Sequence, residues 1–133
     1  MADLAKLATG IRVVRGGIGD GNQVEGYAGE SLEAGDACRI DPATGDFVKA
    51  SAGTAANARV KGLAAARARA GQGVTLLFNG EMDGFDLSGQ SFGDSVFLSN
   101  TAGALADGAG TTSVVVGTVI AVAGSKVLKV EVK

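Results

Sequence analysis

The feature that most constrains this chain is an internal repeat built around glycine. Residues 35–47 and residues 93–105 both read as Gly-Asp, three residues, an apolar residue, a polar turn, Gly and a second apolar residue. Segments 60–64 and 115–119 are also alike, because each has Gly at its third position. Repeated units pack together when one unit alone cannot bury its apolar face. The repeat therefore predicts an all-β domain, a small β-barrel or β-sandwich-like fold built from two pseudo-repeated halves, with turns fixed by the matched glycines.

The spacing of turn residues predicts short strands from residue 31 onward. Clusters of Gly and Asp separate short apolar runs, as they do in sandwiches and barrels. Val130 lies between Lys129 and Glu131, an alternation typical of a half-buried strand. Pro42, directly after Asp41, predicts a turn between the first two strands. The predicted strands are residues 37–40, 46–50, 74–78, 95–98, 113–122 and 126–132.

Residues 55–70 allow two interpretations. Ala and Arg favour a helix, whereas Gly62 would cost about 1 kcal/mol inside one. The basic residues of the segment all have odd numbers, which would place them on one face of an extended strand: Arg59, Lys61, Arg67 and Arg69. We expect a strand, and the alternative is a helix with Val60, Leu63, Ala64 and Arg67 on one side.

These four basic residues form a stripe that could dock electrostatically. No acidic residue lies between Thr54 and Asn79, so the stripe could bind an acidic shell surface or the acidic 81–107 region of a neighbouring subunit. The alternative is a solvated strand face, because exposed ion pairs contribute only about 0–1 kcal/mol each.

The first 27 residues differ in composition from the rest. Glycine occupies four of the seven positions 16–22, which predicts a loop or extended arm because glycine loses extra backbone freedom on ordering. Residues 11–15 could form a short strand, whose hydrogen-bond partner could be another chain. We therefore divide the chain into an extended N-terminal arm, residues 1–27, and a single β-rich domain, residues 28–133.

The residue types argue against an enzyme and against a metal or cofactor site. The chain of 133 residues has no His, so the commonest general base near neutral pH and the imidazole metal ligand are both missing. Cys38 has no second Cys for a disulfide or zinc site, and its apolar surroundings in the sequence predict a buried free thiol. Residues 17–21 lack the Gly-Lys-Ser/Thr ending of a phosphate loop. We interpret Glu81, Asp83 and Asp86 as part of a solvated acidic face rather than a calcium site. No catalytic, cofactor-binding or metal-binding residue is predicted.

Charge and hydropathy also exclude some partners. The formal net charge is −2, which gives no overall attraction to nucleic acid or anionic lipid. The N-terminus lacks the basic and apolar regions of a secretory signal, and the longest apolar stretch, residues 114–123, is too short to span a bilayer. We expect a soluble protein made in the cytoplasm, with no nucleic acid and no membrane as partner.

Five segments carry a resemblance to a known family, namely residues 29–41, 59–64, 73–80, 93–103 and 115–119. In order and spacing they resemble the small capsid decoration, or cement, proteins of tailed bacteriophages, including head-fibre-like and head-stabilising ones. The resemblance covers residues 25–133. It implies a β-rich subunit, often a trimer, which sits outside the expanded shell at local threefold positions and bridges major capsid subunits. No catalytic residues come with it.

Together these inferences predict a non-enzymatic structural protein of the virion, on the capsid exterior, assembled in the bacterial host cytoplasm. Its expected partners are the phage major capsid protein and other copies of itself in a homotrimer, where three weak contacts add up to tight attachment. The arm would add a strand to a sheet edge on the shell or on a neighbouring subunit. The capsid contacts predicted for it are Ile11, Arg12, Val13, Val14 and Arg15.

The alternative function is a receptor- or carbohydrate-binding module of a tail fibre or tailspike. Sugar sites commonly use exposed Trp or Tyr, and this chain has no Trp and only Tyr27.

Overall fold

The computed structural model describes residues 2–8, 10–15 and 23–132. All the regular secondary structure in these ranges is β-strand, which confirms the predicted all-β class. The strands are β1 Arg12–Arg15, β2 Gln23–Tyr27, β3 Ala37–Ile40, β4 Phe47–Lys49, β5 Val60–Ala64, β6 Gly73–Leu77, β7 Asn79–Asp83, β8 Ser95–Leu98, β9 Leu105–Ala106, β10 Val115–Val122 and β11 Ser125–Glu131. They form two antiparallel sheets, and the fold is sandwich-like rather than a closed barrel.

Each sheet corresponds to one half of the repeat. The five-stranded sheet has the order β2-β6-β5-β3-β4, and the six-stranded sheet has the order β1-β7-β11-β10-β8-β9. Without β1, the second order is the first with every strand number raised by five. We call residues 23–77 the first unit and residues 79–131 the second unit; Phe78 alone separates them. The prediction of two related halves is confirmed.

The matched glycines and aspartates play the same local role in both units. Gly35 and Gly93 have φ angles of 84° and 89°, in the left-handed region where a side chain is strained. The carboxylates of Asp36 and Asp94 each accept a hydrogen bond from the backbone N–H three residues earlier, at 2.9 Å and 2.8 Å. The Gly-Asp pair therefore fixes the turn that leads into β3 and into β8.

A second pair of glycines is required by the close approach of a neighbouring strand. β5 and β10 each carry a bulge where they pair with β3 and β8, and Gly62 and Gly117 lie directly after it. A Cβ on Gly62 would lie 2.7 Å from the carbonyl oxygen of Leu77, and one on Gly117 would lie even closer to that of Lys129. No side chain fits at either position without moving the backbone.

Two apolar cores hold the sheets. The main core contains residues from both units, whereas the second contains residues of the first unit only. Neighbouring residues of the first sheet point into different cores, as Leu63 and Ala64 do on β5, because successive side chains of a strand alternate between faces. The first sheet is therefore covered on both faces. Cys38 is fully buried in the second core, as predicted.

Part of the predicted N-terminal arm lies in the sheets of its own chain. The partner strand of β1 is β7, with Arg12 opposite Asp83 and Val13 opposite Met82. Two isolated bridges fix the segment that precedes β1. Asp3 pairs with Ala106 of β9, and Lys6 pairs with Phe85, just after the end of β7. β2 belongs to the first sheet. The domain boundary at residue 27 stays a prediction, and residues 16–22, including the glycine-rich loop, lie outside the described residues.

The sequence-based strand assignment needs several corrections. In the ambiguous segment 55–70, the helix alternative is wrong, and the strand is limited to Val60–Ala64 because residues 55–58 turn and Ala68 makes only an isolated bridge with Leu32. β2, β7 and β9 were not predicted as strands, because none of them has a clear apolar alternation. Within the described ranges there is no helix with the length and hydropathy to cross a membrane.

Candidate functional site

The residues predicted to contact a capsid do not all face outward. Ile11 and Val13 are partly buried and pack against the main core. Arg12 is exposed and donates a hydrogen bond from Nε to Oδ1 of Asp83, at 3.0 Å. This hydrogen bond is the largest of the effects that raise the pKa of Arg12. Val14 is 39% exposed. Val14 is thus the apolar side chain of β1 that is available to another molecule.

The structure places the basic stripe on the surface but divides it. Arg59, Lys61, Arg67 and Arg69 are all exposed. Lys61 borders a groove that contains Val24, whereas Arg67 borders a groove that contains Glu25. Since successive residues of β2 point to opposite faces, these two basic residues border different grooves.

An apolar groove runs between the two sheets. Its two adjoining parts have volumes of about 340 and 370 Å³ and share Val60 and Val132. Ile40 is 42% exposed and Val115 is 47% exposed on its two sides. The remaining lining residues are Val24, Phe47, Lys61, Phe78, Val114, Gly117, Thr118 and Glu131. We call this feature the intersheet groove.

The side chains that could perform chemistry are not brought together. In the part of the chain that the structure describes, no group of three or more His, Cys, Asp or Glu could hold a metal ion. Burial, with the nearby charge of Asp36, raises the pKa of Cys38 to about 12, so its thiol is not a nucleophile near neutral pH. Asp83 binds Arg12, and hydrogen bonds from Ser88 lower the pKa of the exposed Asp86. Asp83 and Asp86 each interact with one neighbouring side chain, that of Arg12 and that of Ser88.

The edges of the two sheets differ in how they are covered. The outer side of β4 receives a backbone hydrogen bond from Gly29 to Phe47, and β9 receives one from Leu4 to Leu105, both at 2.8 Å. β1 and β2 are the other two edge strands. They carry exposed apolar residues, Val14 on β1 and Val24 and Tyr27 on β2.

The β2 edge was not identified from the sequence, although a signal existed. Residues 24–27 read Val-Glu-Gly-Tyr and residues 82–85 read Met-Asp-Gly-Phe, which extends the repeat to the first strand of each unit.

Comparison with known proteins gives no family: no protein-family model matches the chain, and a search of curated proteins finds no match. The intersheet groove and the β1 and β2 edges are therefore the candidate functional surfaces.

Proposed function

We propose that this protein is a structural virion protein that binds the outer surface of a phage capsid as a homotrimer and stabilises the expanded shell by bridging major capsid subunits. The observation that carries this proposal is the intersheet groove, an exposed apolar surface on a small β-sandwich. Such surfaces on soluble proteins are typical of interaction sites. The sequence resemblance to capsid decoration proteins supplies the binding partner.

The intersheet groove suits contact between copies of the chain. Its centre is apolar, and the charged residues that line it are Lys61 on one side and Glu131 on the other. A head-to-tail arrangement, in which unlike surfaces meet, can pair Lys61 of one copy with Glu131 of the next and close into a ring. A ring of three presents three copies of each capsid contact, and these reinforce one another.

β1 supplies a capsid contact that is smaller than the predicted one, which comprised residues 11–15. Ile11 and Val13 serve the main core, so Val14 and the outer edge of β1 remain for the shell. Deletion of the N-terminal residues is therefore a poor test, because it also removes a strand from the second sheet. Substitutions of exposed residues test the proposal without that loss.

The test has two readouts: the mass of the protein in solution, and its co-sedimentation with expanded empty capsids of the phage or prophage that encodes it. We expect a trimer that co-sediments. Val115→Asp should give a monomer that no longer co-sediments, because it puts a charge into the intersheet groove. Val14→Asp should leave the trimer intact and weaken co-sedimentation.

Ala121→Asp is the matched control, since Ala121 is also exposed on β10 but lies outside the groove lining. It should change neither readout. A wild-type monomer that does not co-sediment with capsids would overturn the proposal.

One observation favours the second candidate function, receptor or carbohydrate binding. Tyr27 is 64% exposed and, with Glu25, lines a shallow concavity of about 370 Å³. An aromatic face beside a carboxylate is suited to a sugar ring. A glycan array with wild type and Tyr27→Ala tests it: specific binding that the substitution removes would favour this function, and an array without binding would exclude the glycans it displays.

A further inference from the structure

Two concavities adjoin where β2 runs beside β6. The one that contains Tyr27 has a volume of about 370 Å³, and the one that contains Arg67 has a volume of about 310 Å³. They share four lining residues, among them Glu25 and Thr75, so they form one continuous groove. We call it the β2–β6 groove. It lies on the first unit and shares no lining residue with the intersheet groove.

The register of the sheet arranges polar side chains along the β2–β6 groove. Gln23, Glu25 and Tyr27 are alternate residues of β2, so their side chains lie on one face of that strand. Thr75 lies directly opposite Glu25 on β6, which places its side chain on the same face. At about 3.3 Å per residue, Tyr27 and Gln23 are about 13 Å apart along the strand. This distance matches the length of a short oligosaccharide.

The charged groups of the groove are available to a ligand. Tyr27 is largely exposed, and Glu25 and Arg67 are also exposed. In the part of the chain that the structure describes, Glu25 and Arg67 pair neither with each other nor with another side chain. The groove therefore presents an aromatic ring, a free carboxylate and a free guanidinium.

These groups together select the chemistry of the ligand. An aromatic face such as that of Tyr27 packs well against the apolar face of a sugar ring. The carboxylate of Glu25 accepts hydrogen bonds from hydroxyl groups, whereas the planar guanidinium of Arg67 fits a carboxylate through two parallel hydrogen bonds. A simple anion would meet Glu25 as well as Arg67. An acidic sugar chain can instead present its hydroxyls to Glu25 and its carboxylate to Arg67.

We propose that the β2–β6 groove binds a short acidic oligosaccharide that contains a uronic or sialic acid. One sugar ring packs on Tyr27, hydroxyl groups bind Glu25 and Thr75, and the carboxylate of the ligand pairs with Arg67. This ligand class and its orientation rest on the second candidate function, carbohydrate binding. They are independent of attachment to a capsid, because the groove is separate from both the intersheet groove and β1.

The test uses a glycan array of short oligosaccharides that contain uronic or sialic acids. Each is displayed beside a neutral counterpart in which the carboxylate is reduced to a hydroxymethyl group. We expect the full chain to bind acidic members about tenfold more tightly than their counterparts, the size expected from a hydrogen bond between charged groups. Equal binding of both members of the pairs would overturn the acidic specificity and leave carbohydrate binding standing. An array without binding would overturn both.

Arg67→Gln tests the charge pairing directly. The substitution keeps a planar hydrogen-bonding group but removes the positive charge, so affinity for the acidic oligosaccharide should fall about tenfold. Affinity for the neutral counterpart should not change. Tyr27→Ala should weaken the binding of both members of the pair by a similar factor, because the ring packs on a sugar whether or not the ligand is charged. Isothermal titration calorimetry measures these affinities.

Arg69→Gln is the matched control, because Arg69 is an exposed arginine that does not line the groove. It makes the same change of net charge and should leave both affinities unchanged. Thermal unfolding of each variant checks that the fold is retained. Equal losses of affinity in Arg67→Gln and Arg69→Gln would contradict the assigned pairing, since they would reflect net charge rather than a contact in the groove.

Discussion

The first and second units have the same strand order and the same turn glycines, but they differ in what covers them. In the first unit, the connection from β5 to β6 spans residues 65–72 and helps to enclose a second core through the bridge of Ala68 with Leu32. In the second unit, the corresponding connection is the two-residue turn Ala123-Gly124 between Val122 and Ser125. The shared features are set by backbone geometry that tolerates little change. The segments that lie over the two sheets differ between the units, and the differences in exposed surface arise from these segments.

The same comparison identifies a polar residue at a core position. Leu32 is 1% exposed in the second core, and its counterpart in the second unit is Gln90, which is 5% exposed. Neither Oε1 nor Nε2 of Gln90 has a hydrogen-bond partner among the described residues. A buried amide without partners is destabilising, so this is a point where the second unit is less well packed than the first.

The largest loss of stability is expected at the matched glycines of β5 and β10, where the backbones of the two units are most alike. Gly117→Ala should lower the free energy of unfolding by about 4 kcal/mol, because the new methyl group collides with the carbonyl of Lys129. Gly62→Ala, with a less severe approach to Leu77, should cost about half as much. Urea unfolding measures both. A larger loss for Gly62→Ala would break the equivalence of these two positions.

The next effect depends on pH and concerns Cys38, whose counterpart in the second unit is Val96. The pKa of Cys38 is raised from 9.0 to about 12, so its stabilising contribution is complete below pH 9 and is lost as the pH rises towards 12. At about pH 11 the wild type should have lost about 3 kcal/mol more than Cys38→Val, in which no thiol titrates. Unfolding curves at pH 7 and pH 11 measure the difference.

A smaller effect is expected for Gln90→Leu, which copies the first unit into the second. Removal of the unpaired amide should raise the free energy of unfolding by about 1–2 kcal/mol. The reverse exchange, Leu32→Gln, should lower it, and both are measured by thermal or urea unfolding. A loss of stability in Gln90→Leu would mean that ordered water satisfies the amide in solution.

The smallest effect concerns the short turn that distinguishes the second unit. Ala123 has a φ of 51°, a conformation that costs a non-glycine residue about 1–2 kcal/mol and that Asn tolerates better. Ala123→Asn should therefore raise the free energy of unfolding by about 1 kcal/mol. Ala121→Asn, on the adjoining strand, is the control and should give no gain. Equal effects of the two substitutions would show that the turn is not strained.

Local patterns in the sequence predicted much of the fold. The matches around Gly35 and Gly93 indicated two related halves, because a Gly-Asp pair determines its turn through contacts within a few residues. β7 was missed because Asn79–Asp83 contains one large apolar residue, Met82, and so lacks an alternating pattern. The partner of β1 could not be predicted, since Arg12 and Asp83 are 71 positions apart and either edge of either sheet could have received that strand.

The candidate surfaces depended on the same long-range information. Tyr27 and Phe85 occupy equivalent positions, yet one is exposed and the other buried because β1 covers only the second unit. All four basic residues lie on the surface, but they do not share one strand face as expected: the strand ends at Ala64, and Lys61 and Arg67 border different grooves. Neither the exposure of Tyr27 nor the separation of the basic residues can be predicted from the local sequence around them.

The pairing of β1 with β7 also imposes an order on folding during synthesis. β1 is complete at residue 15, but its partner begins only at residue 79, after the whole first unit has been made. The first sheet can form while β1 still has no partner, because that sheet uses only strands up to residue 77. β1 therefore stays without its partner at least until β7 has been made, and during that time the N-terminal segment is within reach of other molecules.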